Sequence, residues 1–418
     1  MTTTTTSTRS KRRVGITALS TLTAALVGSA GIASTAHAQT VSLDTNISVT
    51  GQGSTFLSNF IEQCKSDVKK NLGINIVYQP TGSGAGRTAY LNGTNDFGGS
   101  DIAFATAELP AAKAKPFVYI PVAIGGVAVI YKIPGITDLR FSGQTLSKIF
   151  SGQVQKWNDD AIARENPTVS LPNEVIRVIV RSDSSGTSNV FSDYLASAGK
   201  GSWKAGATSN FPVPAGNGVA QRGSDGVTNY VAGAQGNFAI TYSETSFAEE
   251  RKLSVAKVIN AAGNAVEPLA QNVTEAMSAA AVNDDGTLLL NFNAPGAKAY
   301  PISTTGYLIA AQTMNQAKGD VLRTFLTYSL TGCQANIGKV GYAPLPASLE
   351  KLGLAAIAKI NPGSGDVPKV GTAAPTPAAT ATTVAAATTV PAAATTTTPT
   401  ATTKKPTTKS KKTTKKKA

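Results

Sequence analysis

Between about residue 41 and residue 362, the sequence alternates short runs rich in β-branched and aromatic residues with runs of helical periodicity. The strand candidates lie at 74–79, 117–132, 175–181, 237–242 and 300–311. Strands that alternate with helices along the chain are typical of α/β proteins, in which the helices pack against the sheet. We therefore predict an α/β fold for this part of the chain.

The clearest helix candidate spans 56–70. Its apolar residues recur at helical spacing and mark one face, formed by Phe56, Leu57, Phe60, Ile61, Cys64 and Val68. Further helices are predicted to start near Ala85, Ser185, Asp225, Asp320 and Ala347. The sequence shows no repeat at the period of a solenoid protein, so the pattern indicates a globular protein and not a repeat array.

The N-terminal 38 residues differ from this alternating region and are typical of a secretory signal peptide. Basic residues from Arg9 to Arg13 precede an apolar run of small residues at 14–32, and Ala-His-Ala follows at 36–38. The alternative is a membrane anchor, but the run is poor in large apolar residues. No cysteine lies near the cleavage point. We therefore expect an exported protein, periplasmic or at the cell surface, without a lipid anchor on an N-terminal cysteine.

The C-terminal end is also distinct. Residues 371–403 are almost entirely Ala, Thr, Pro and Val, and eight lysines follow between Lys404 and Lys417. Such a segment cannot bury enough apolar area to offset its ordering entropy. We predict a folded domain over 39–366 and a disordered stalk with a lysine-rich tail over 367–418. The lysines form either a solvated tail or a tether to anionic cell-wall polymer or lipid head groups.

The formal net charge of +14 resembles that of a nucleic-acid-binding protein until it is divided along the chain. The predicted signal peptide carries four positive charges and the tail carries eight, and neither holds an acidic residue. Subtracting the four and the eight from +14 leaves +2 for the remainder. A nearly neutral folded domain does not indicate a nucleic-acid-binding face.

The only histidine, His37, lies in the predicted signal peptide. A mature protein without histidine lacks the residues for Ser-His-Asp catalysis, Cys-His catalysis and His-ligated zinc. We expect neither a metal site nor a cofactor. Two cysteines remain, Cys64 and Cys333. In an exported protein they could form a disulfide, and the alternative is a pair of buried free thiols.

Four short loops rich in Gly, Ser and Thr each lead into a helical pattern. They are GQGSTF (51–56), PTGSGAGR (80–87), SDSSGTS (182–188) and RGSDGVTNY (222–230). The unpaired N–H groups and positive dipole end of a helix start favour an anion. Each loop alone is more simply explained as an ordinary helix cap, but four in one α/β protein favour an anion site. The loops lack the lysine of a P-loop and the spacing of a dinucleotide fingerprint, so nucleotide binding is disfavoured.

The stretch NDFGGSD ends at Asp101 and puts a carboxylate among these candidate donors. Two like charges about 4 Å apart cost roughly 4 kcal/mol at an effective dielectric near 20, so an aspartate opposes most anions. The conflict disappears if the anion carries a proton that the carboxylate accepts. Hydrogen phosphate has such a proton at neutral pH and sulfate does not, so Asp101 would discriminate against sulfate.

Six segments, in order and spacing over about 48–346, resemble the phosphate-binding proteins of high-affinity phosphate ABC transporters. They are GQGSTF, YQPTGSGAG, NDFGGSD, KWNDDAIARENP, RSDSSGTSNVFSDYL and GSDGVTNYV. The resemblance implies a two-lobed type II periplasmic-binding-protein fold with a hinge, so that 39–366 is a phosphate-binding domain. One lobe would span about 40–132 and 300–362, and the other about 133–298. The implied partners are inorganic phosphate and ABC permease subunits, with the protein itself a monomer.

The resemblance also implies a set of residues that contact one dehydrated phosphate: Ser54, Thr55, Phe56, Ser83, Asp101, Arg181, Ser185, Gly186 and Thr187. In this set Asp101 is the proton acceptor and Arg181 pairs with the phosphate, while Asp183 orients the guanidinium. The sequence departs from the family pattern at Gly84, where relatives often have a second serine. It departs again at Gln52 and Ser54, where alanine is common.

We therefore predict an exported solute-binding protein, without enzymatic activity, that captures inorganic phosphate and delivers it to an ABC importer. The alternative is an adhesin-like protein of the cell surface that retains the binding fold and works through its stalk and tail. A phosphatase that acts through Ser185 is disfavoured, because the mature chain has no histidine and shows no metal-ligand cluster.

Overall fold

The predicted α/β alternation is present in the structure, a computed structural model that describes residues 43–278 and 280–362. The strands are β1 (Ser48–Gly53), β2 (Asn75–Pro80), β3 (Phe97–Ser100), β4 (Phe117–Lys132), β5 (Arg140–Phe141), β6 (Arg177–Arg181), β7 (Gly218–Gln221), β8 (Ala239–Glu244), β9 (Ser254–Ile259), β10 (Ala265–Val266), β11 (Ala281–Val282), β12 (Leu288–Leu289) and β13 (Ser303–Ala311). The predicted signal peptide, stalk and lysine-rich tail lie outside the described residues.

The helices lie between and beside these strands. They are α1 (Ser58–Leu72), α2 (Ser83–Asn92), α3 (Leu109–Lys113), α4 (Gly143–Phe150), α5 (Asp160–Glu165), α6 (Gly186–Ala198), α7 (Gly223–Ala232), α8 (Thr245–Arg251), α9 (Ala270–Met277), α10 (Gln316–Leu330) and α11 (Ala347–Ile357), with 3-10 turns at Ala234–Gly236 and Gly332–Val340. The predicted α/β fold is confirmed.

The main sheet is mixed and runs in the order β2-β1-β3-β13-β4-β8-β6-β7, with β9 also paired to β4. Strands β1, β2, β3 and β13 form a first strand group, and β6, β7, β8 and β9 form a second. Strand β4 joins them, because its Phe117–Gly126 half pairs with β13 and its Val127–Lys132 half pairs with β8. This change of partner falls upstream of the lobe boundary predicted near residue 132, and the lobe boundaries stay a prediction.

Helix α1 shows why the apolar pattern folds as it does. The face predicted from the sequence is buried, and its members Phe60, Ile61 and Val68 pack into the core beside the first strand group. The helix ends at Gly73, whose φ of 72° is a left-handed conformation that glycine adopts without a Cβ penalty. Burial of this face fixes α1 against the sheet, and with it the loop that precedes the helix.

Cys64 on α1 and Cys333 in the 3-10 turn Gly332–Val340 form a disulfide, with an S–S distance of 2.06 Å and a Cα–Cα distance of 5.3 Å. Of the two alternatives left open by the sequence, the structure has the disulfide. Because the bridge closes a loop with a sequence separation of 269 residues, it restricts the unfolded chain strongly. It therefore stabilises the folded chain against unfolding.

The loops that carry the candidate donors meet at one edge of the sheet. Parallel strands β1, β2 and β3 lead into the loops at 54–57, 81–82 and 101, and parallel strands β6 and β7 lead into α6 and α7. Ligands of open α/β sheets bind outside the carboxyl ends of the strands. The fold thus gathers all four Gly/Ser/Thr loops and Asp101 in the place where such proteins bind small molecules.

Candidate anion-binding site

Asp101 is the centre of one half of the site. It is 3% exposed and follows β3 directly. Three hydroxyls from three different loops donate to its carboxylate: Ser54 to Oδ1, Thr187 to Oδ2 at 3.1 Å, and Ser83 to Oδ2 at 3.4 Å. The Asp101 N–H also donates to Ser83 Oγ at 3.3 Å. The structure therefore brings three residues of the predicted set together around the carboxylate of a fourth, Asp101.

The electrostatics of Asp101 are a balance of opposed effects. Burial raises the pKa of its carboxyl above the ordinary value, because a charge is poorly solvated there. The hydroxyls of Ser54, Thr187 and Ser83 and the positive charge of Arg181 oppose this rise without cancelling it. A buried carboxylate with a raised pKa is a good proton acceptor, so this position favours a ligand that brings a proton of its own.

Arg181 and Asp183 form the centre of the other half. Arg181 is 3% exposed, and its Nε and Nη2 donate to the two carboxylate oxygens of Asp183 at 2.7 and 2.5 Å. Burial alone would raise the pKa of Asp183, but the hydrogen bonds and charge of Arg181 and the Gly223 N–H hold it below its ordinary value. This two-point pair fixes the plane of the guanidinium and leaves Nη1 directed away from Asp183.

The first turn of α6 packs against Asp101. Ser185 is the N-cap, since its Oγ accepts from the Ser188 N–H at 3.0 Å, so the ordinary cap role is real at this loop. Its hydroxyl proton is still available to another acceptor. At Gly186 a Cβ would lie 2.6 Å from Ser83 Oγ and 2.8 Å from Asp101 Cβ. Only glycine allows the first turn of α6 to approach this closely.

Thr55 and Phe56 precede α1. Phe56 is fully buried, its ring packs edge-on against Tyr342 at a centroid distance of 5.8 Å, and its carbonyl accepts from the Tyr342 hydroxyl. Its side chain therefore belongs to the core, and only its backbone is available to a ligand. Thr55 is 6% exposed and its Oγ1 lies 2.9 Å from Ser224 Oγ on α7.

Ser224 is a site residue that the predicted set omits. It is fully buried at the start of α7, and it lies within hydrogen-bond distance of both Thr55 and Arg181. The signal in the sequence was the loop RGSDGVTNY, which has the same composition as the other three loops. The pattern could not show that the carboxyl end of β7 would bring this serine to Thr55, which is 169 residues away in sequence.

The loops of α2 and α6 touch each other. The Gly84 N–H donates to the Ser184 carbonyl at 2.9 Å. A Cβ on Gly84 would lie 2.3 Å from Ser184 Oγ and 2.5 Å from Ser184 Cβ. The departure from the family pattern at Gly84 therefore has a physical reason in this chain, because a side chain there would collide with Ser184.

Over the described ranges, no cluster of three or more His, Cys, Asp or Glu residues could hold a metal ion. In the same ranges, no helix is long and apolar enough to cross a membrane. The site offers hydroxyls, backbone N–H groups and one guanidinium, which are donors that suit a small oxyanion. It also holds two carboxylates, and one of them, Asp183, is paired with the guanidinium.

Comparisons with known proteins show which family the chain matches. A family model described as a PBP superfamily domain matches residues 29–332. The phosphate-binding protein PstS of Xylella fastidiosa (strain 9a5c) is 35% identical over 314 residues, which are 73% of this chain and 84% of that protein. The phosphate-binding protein PstS 3 of Mycobacterium tuberculosis (strain ATCC 25618 / H37Rv) is 33% identical over 281 residues, 64% of this chain and 74% of that protein.

Among solved structures, the chain is similar to a high-affinity periplasmic phosphate-binding protein, PfluDING, bound with phosphate. The sequence identity is 26% and the TM-score is 0.61, with 73% of this chain and 92% of that chain covered. The match to a protein of this class agrees with the predicted two-lobed periplasmic-binding-protein fold.

Proposed function

The chain belongs to the family of PstS phosphate-binding proteins within the PBP superfamily, and from this premise we propose that it captures inorganic phosphate outside the cytoplasm for an ABC importer. The observation that carries the proposal is the pair of opposed charges buried in one site. Asp101 and Arg181 are each 3% exposed, and the positive charge of Arg181 offsets part of the rise that burial causes in the pKa of Asp101.

This pairing suits hydrogen phosphate in particular. Arg181 supplies a fixed positive charge, and the helix starts of α1 and α6 supply N–H donors. Asp101 supplies an acceptor for the proton that hydrogen phosphate carries. Sulfate brings no proton, so in the same position it would meet the charge of Asp101 without a hydrogen bond. The site as a whole therefore recognises an anion that is also a donor.

Within the site we assign two kinds of role. Thr55, Phe56 through its backbone, Arg181 and the Ser185–Thr187 turn donate to the phosphate oxygens. The hydroxyls of Ser83 and Thr187, which donate to Asp101 in the structure, turn to the phosphate when it binds. Ser54 holds Asp101 in place by donating to Oδ1, and Asp183 holds Arg181. Hydrogen bonds to a charged group contribute roughly 1.5 to 3 kcal/mol each, so several exceed the ~8 kcal/mol of micromolar binding after ordering costs.

Equilibrium titration of the purified mature protein tests the proposal. We expect saturable binding of one phosphate per chain and much weaker binding of sulfate. Absence of saturable phosphate binding, or equal competition by sulfate, would contradict it.

The relatives named above are binding proteins, and we propose that this chain likewise performs no turnover. Incubation with p-nitrophenyl phosphate should release no nitrophenol above the buffer rate. Hydrolysis that disappears in Ser185→Ala would overturn this part of the proposal.

Two further proposals concern the oligomeric state, which the family resemblance implies, and the C-terminal lysines. The protein acts as a monomer, and the lysines from Lys404 to Lys417 tether it to anionic cell-wall polymer or lipid head groups. Deletion of 371–418 should release the protein from cells and leave phosphate binding unchanged. If the deleted protein stays attached to cells, the tether proposal fails.

A further inference from the structure

Ser224 occupies a position between two residues of the proposed phosphate site. It is 0% exposed, in the first turn of α7, and its Oγ lies 2.9 Å from Thr55 Oγ1. Its N–H donates to the same Thr55 oxygen at 3.2 Å. Arg181 Nη1, the guanidinium nitrogen that does not bond to Asp183, reaches Ser224 Oγ at 3.5 Å.

The turn before α7 is held so that Ser224 must face Thr55. The Gly223 N–H donates to Asp183 Oδ1 at 2.9 Å, and the same oxygen accepts from Arg181 Nε at 2.7 Å. Gly223 has a φ of 72°, a left-handed conformation that favours glycine. Asp183 thus fixes both the guanidinium and the loop that carries Ser224, so the position of Ser224 is built into the same network as Arg181.

The chemistry of these groups sets the direction of the hydrogen bonds. A backbone N–H only donates, so Thr55 Oγ1 is an acceptor toward Ser224. A guanidinium also only donates, so Ser224 Oγ is an acceptor toward Arg181. An anion in the site attracts the Thr55 hydroxyl proton, which leaves the Ser224 hydroxyl to donate to Thr55. Donors then follow one another from Arg181 through Ser224 and Thr55 to the anion, and each bond polarises the next.

We infer that Ser224 is a positioning residue for phosphate: it fixes the Thr55 hydroxyl as a donor to the anion and couples it to Arg181 across the cleft. The inference rests on the proposed function and adds a residue to it. Thr55 precedes α1 beside the first strand group and Ser224 opens α7 beside the second, so opening of the two predicted lobes would break the contact. Its loss should therefore speed release of phosphate more than it slows capture.

The test measures phosphate affinity and release for the mature protein and for Ser224→Ala. We expect the dissociation constant to rise about tenfold, which is about 1.4 kcal/mol, with most of the change in the release rate measured by stopped flow. The matched control is Thr228→Val, one turn later in α7. Its buried hydroxyl donates to the Ser224 carbonyl at 2.7 Å and serves only the helix. This control should stay within about twofold of wild type.

A double-mutant cycle separates coupling from general damage. Thr55→Val and Ser224→Ala should be non-additive, so the double variant should lose less affinity than the product of the two single losses. Wild-type affinity in Ser224→Ala, an equal loss in Thr228→Val, or losses that multiply in the double variant would each overturn the inference while the proposed function stands. Absence of phosphate binding by the wild-type protein would overturn the proposed function and this inference with it.

Discussion

Asp101 and Asp183 are two aspartates of one site whose pKa values are displaced in opposite directions. Burial raises the pKa of Asp101, whose direct partners are hydroxyls. At Asp183 the two-point contact with Arg181 outweighs burial and lowers the pKa. This difference shows that the partner of a carboxylate, more than its burial, determines the direction in which its pKa is displaced. Asp101 is left free to accept a proton, and Asp183 is committed to holding a cation.

Removal of the cation should have the largest effect. Arg181→Ala takes away the charge that faces the ligand and leaves the partly buried Asp183 without its partner, a loss that costs up to about 3 to 5 kcal/mol of folding stability. We expect the phosphate dissociation constant to rise by at least roughly 100-fold, because each charge-assisted bond is worth about 1.5 to 3 kcal/mol. Calorimetric titration measures the affinity and urea denaturation the stability.

The control for Arg181→Ala is Lys257→Ala, which removes an exposed ion pair with Asp138 at 2.8 Å. Exposed pairs contribute only about 0 to 1 kcal/mol, so stability and binding should hardly change. A tenfold or smaller loss of affinity in Arg181→Ala would mean that the guanidinium is not the main cation of the site.

A substitution that pushes the first turn of α6 away from Asp101 should have the next largest effect on phosphate binding. Gly186→Ala would place a methyl group against Ser83 Oγ and Asp101 Cβ, at 2.6 and 2.8 Å. Overpacking of this kind costs about 1 to 3 kcal/mol, so we expect roughly a 30-fold rise in the phosphate dissociation constant.

Gly226→Ala in α7 is the matched control, because the nearest atom to its new Cβ would lie at an ordinary 3.5 Å. Alanine in a helix is favoured over glycine by up to about 1 kcal/mol, so this variant should be at least as stable as wild type and bind normally. Equal binding by both glycine variants would show that α6 does not need to approach Asp101 closely.

The loss of folding stability at acid pH should show the lowered pKa of Asp183, and this effect should be smaller than those of the two substitutions above. The folded pKa of Asp183 is lowered, so its ionised form stabilises the protein above the unfolded pKa near 3.9. That stability is lost as pH falls through the folded pKa. Asp183→Asn should therefore be less stable than wild type at pH 7, and the difference should shrink as the pH falls below about 4.

Urea denaturation from pH 7 to pH 3 measures this difference. Asp138→Asn, at a side chain that is 75% exposed, should show almost none at any pH. A gap between Asp183→Asn and wild type that stays constant with pH would mean that the ion pair is not its source.

Much of this arrangement could be predicted from the sequence, and the rest depended on tertiary contacts. The predicted bounds of strand β4, 117–132, match those in the structure. Its long apolar run is buried along its whole length except at the two termini. Strand β3 was not predicted, since its Phe-Gly-Gly-Ser sequence has the composition of a loop and becomes a strand only through pairing with β1 and β13. Its glycines leave room for α2, whose Gly86 carbonyl lies near Gly98.

In the site, too, some residues were predicted from the sequence and others depended on tertiary contacts. Asp101, Arg181 and Gly186 were predicted because each lies in a short segment that resembles the family. Ser224 could not be placed, because its neighbour Thr55 is far away in sequence and the meeting of β1 and β7 loops is a property of the fold. The helix-cap function of Ser185 was weighed from the sequence, and the structure shows that cap together with the turn that faces Asp101.

The most direct test of the central claim is the ratio of sulfate to phosphate dissociation constants for wild type and Asp101→Asn. The substitution removes both the charge that repels sulfate and the acceptor for the phosphate proton. Since like charges about 4 Å apart cost roughly 4 kcal/mol at an effective dielectric near 20, we predict a fall in the ratio of up to roughly 1,000-fold, with weaker phosphate and stronger sulfate binding. An unchanged ratio would contradict the claim that Asp101 selects phosphate by accepting its proton.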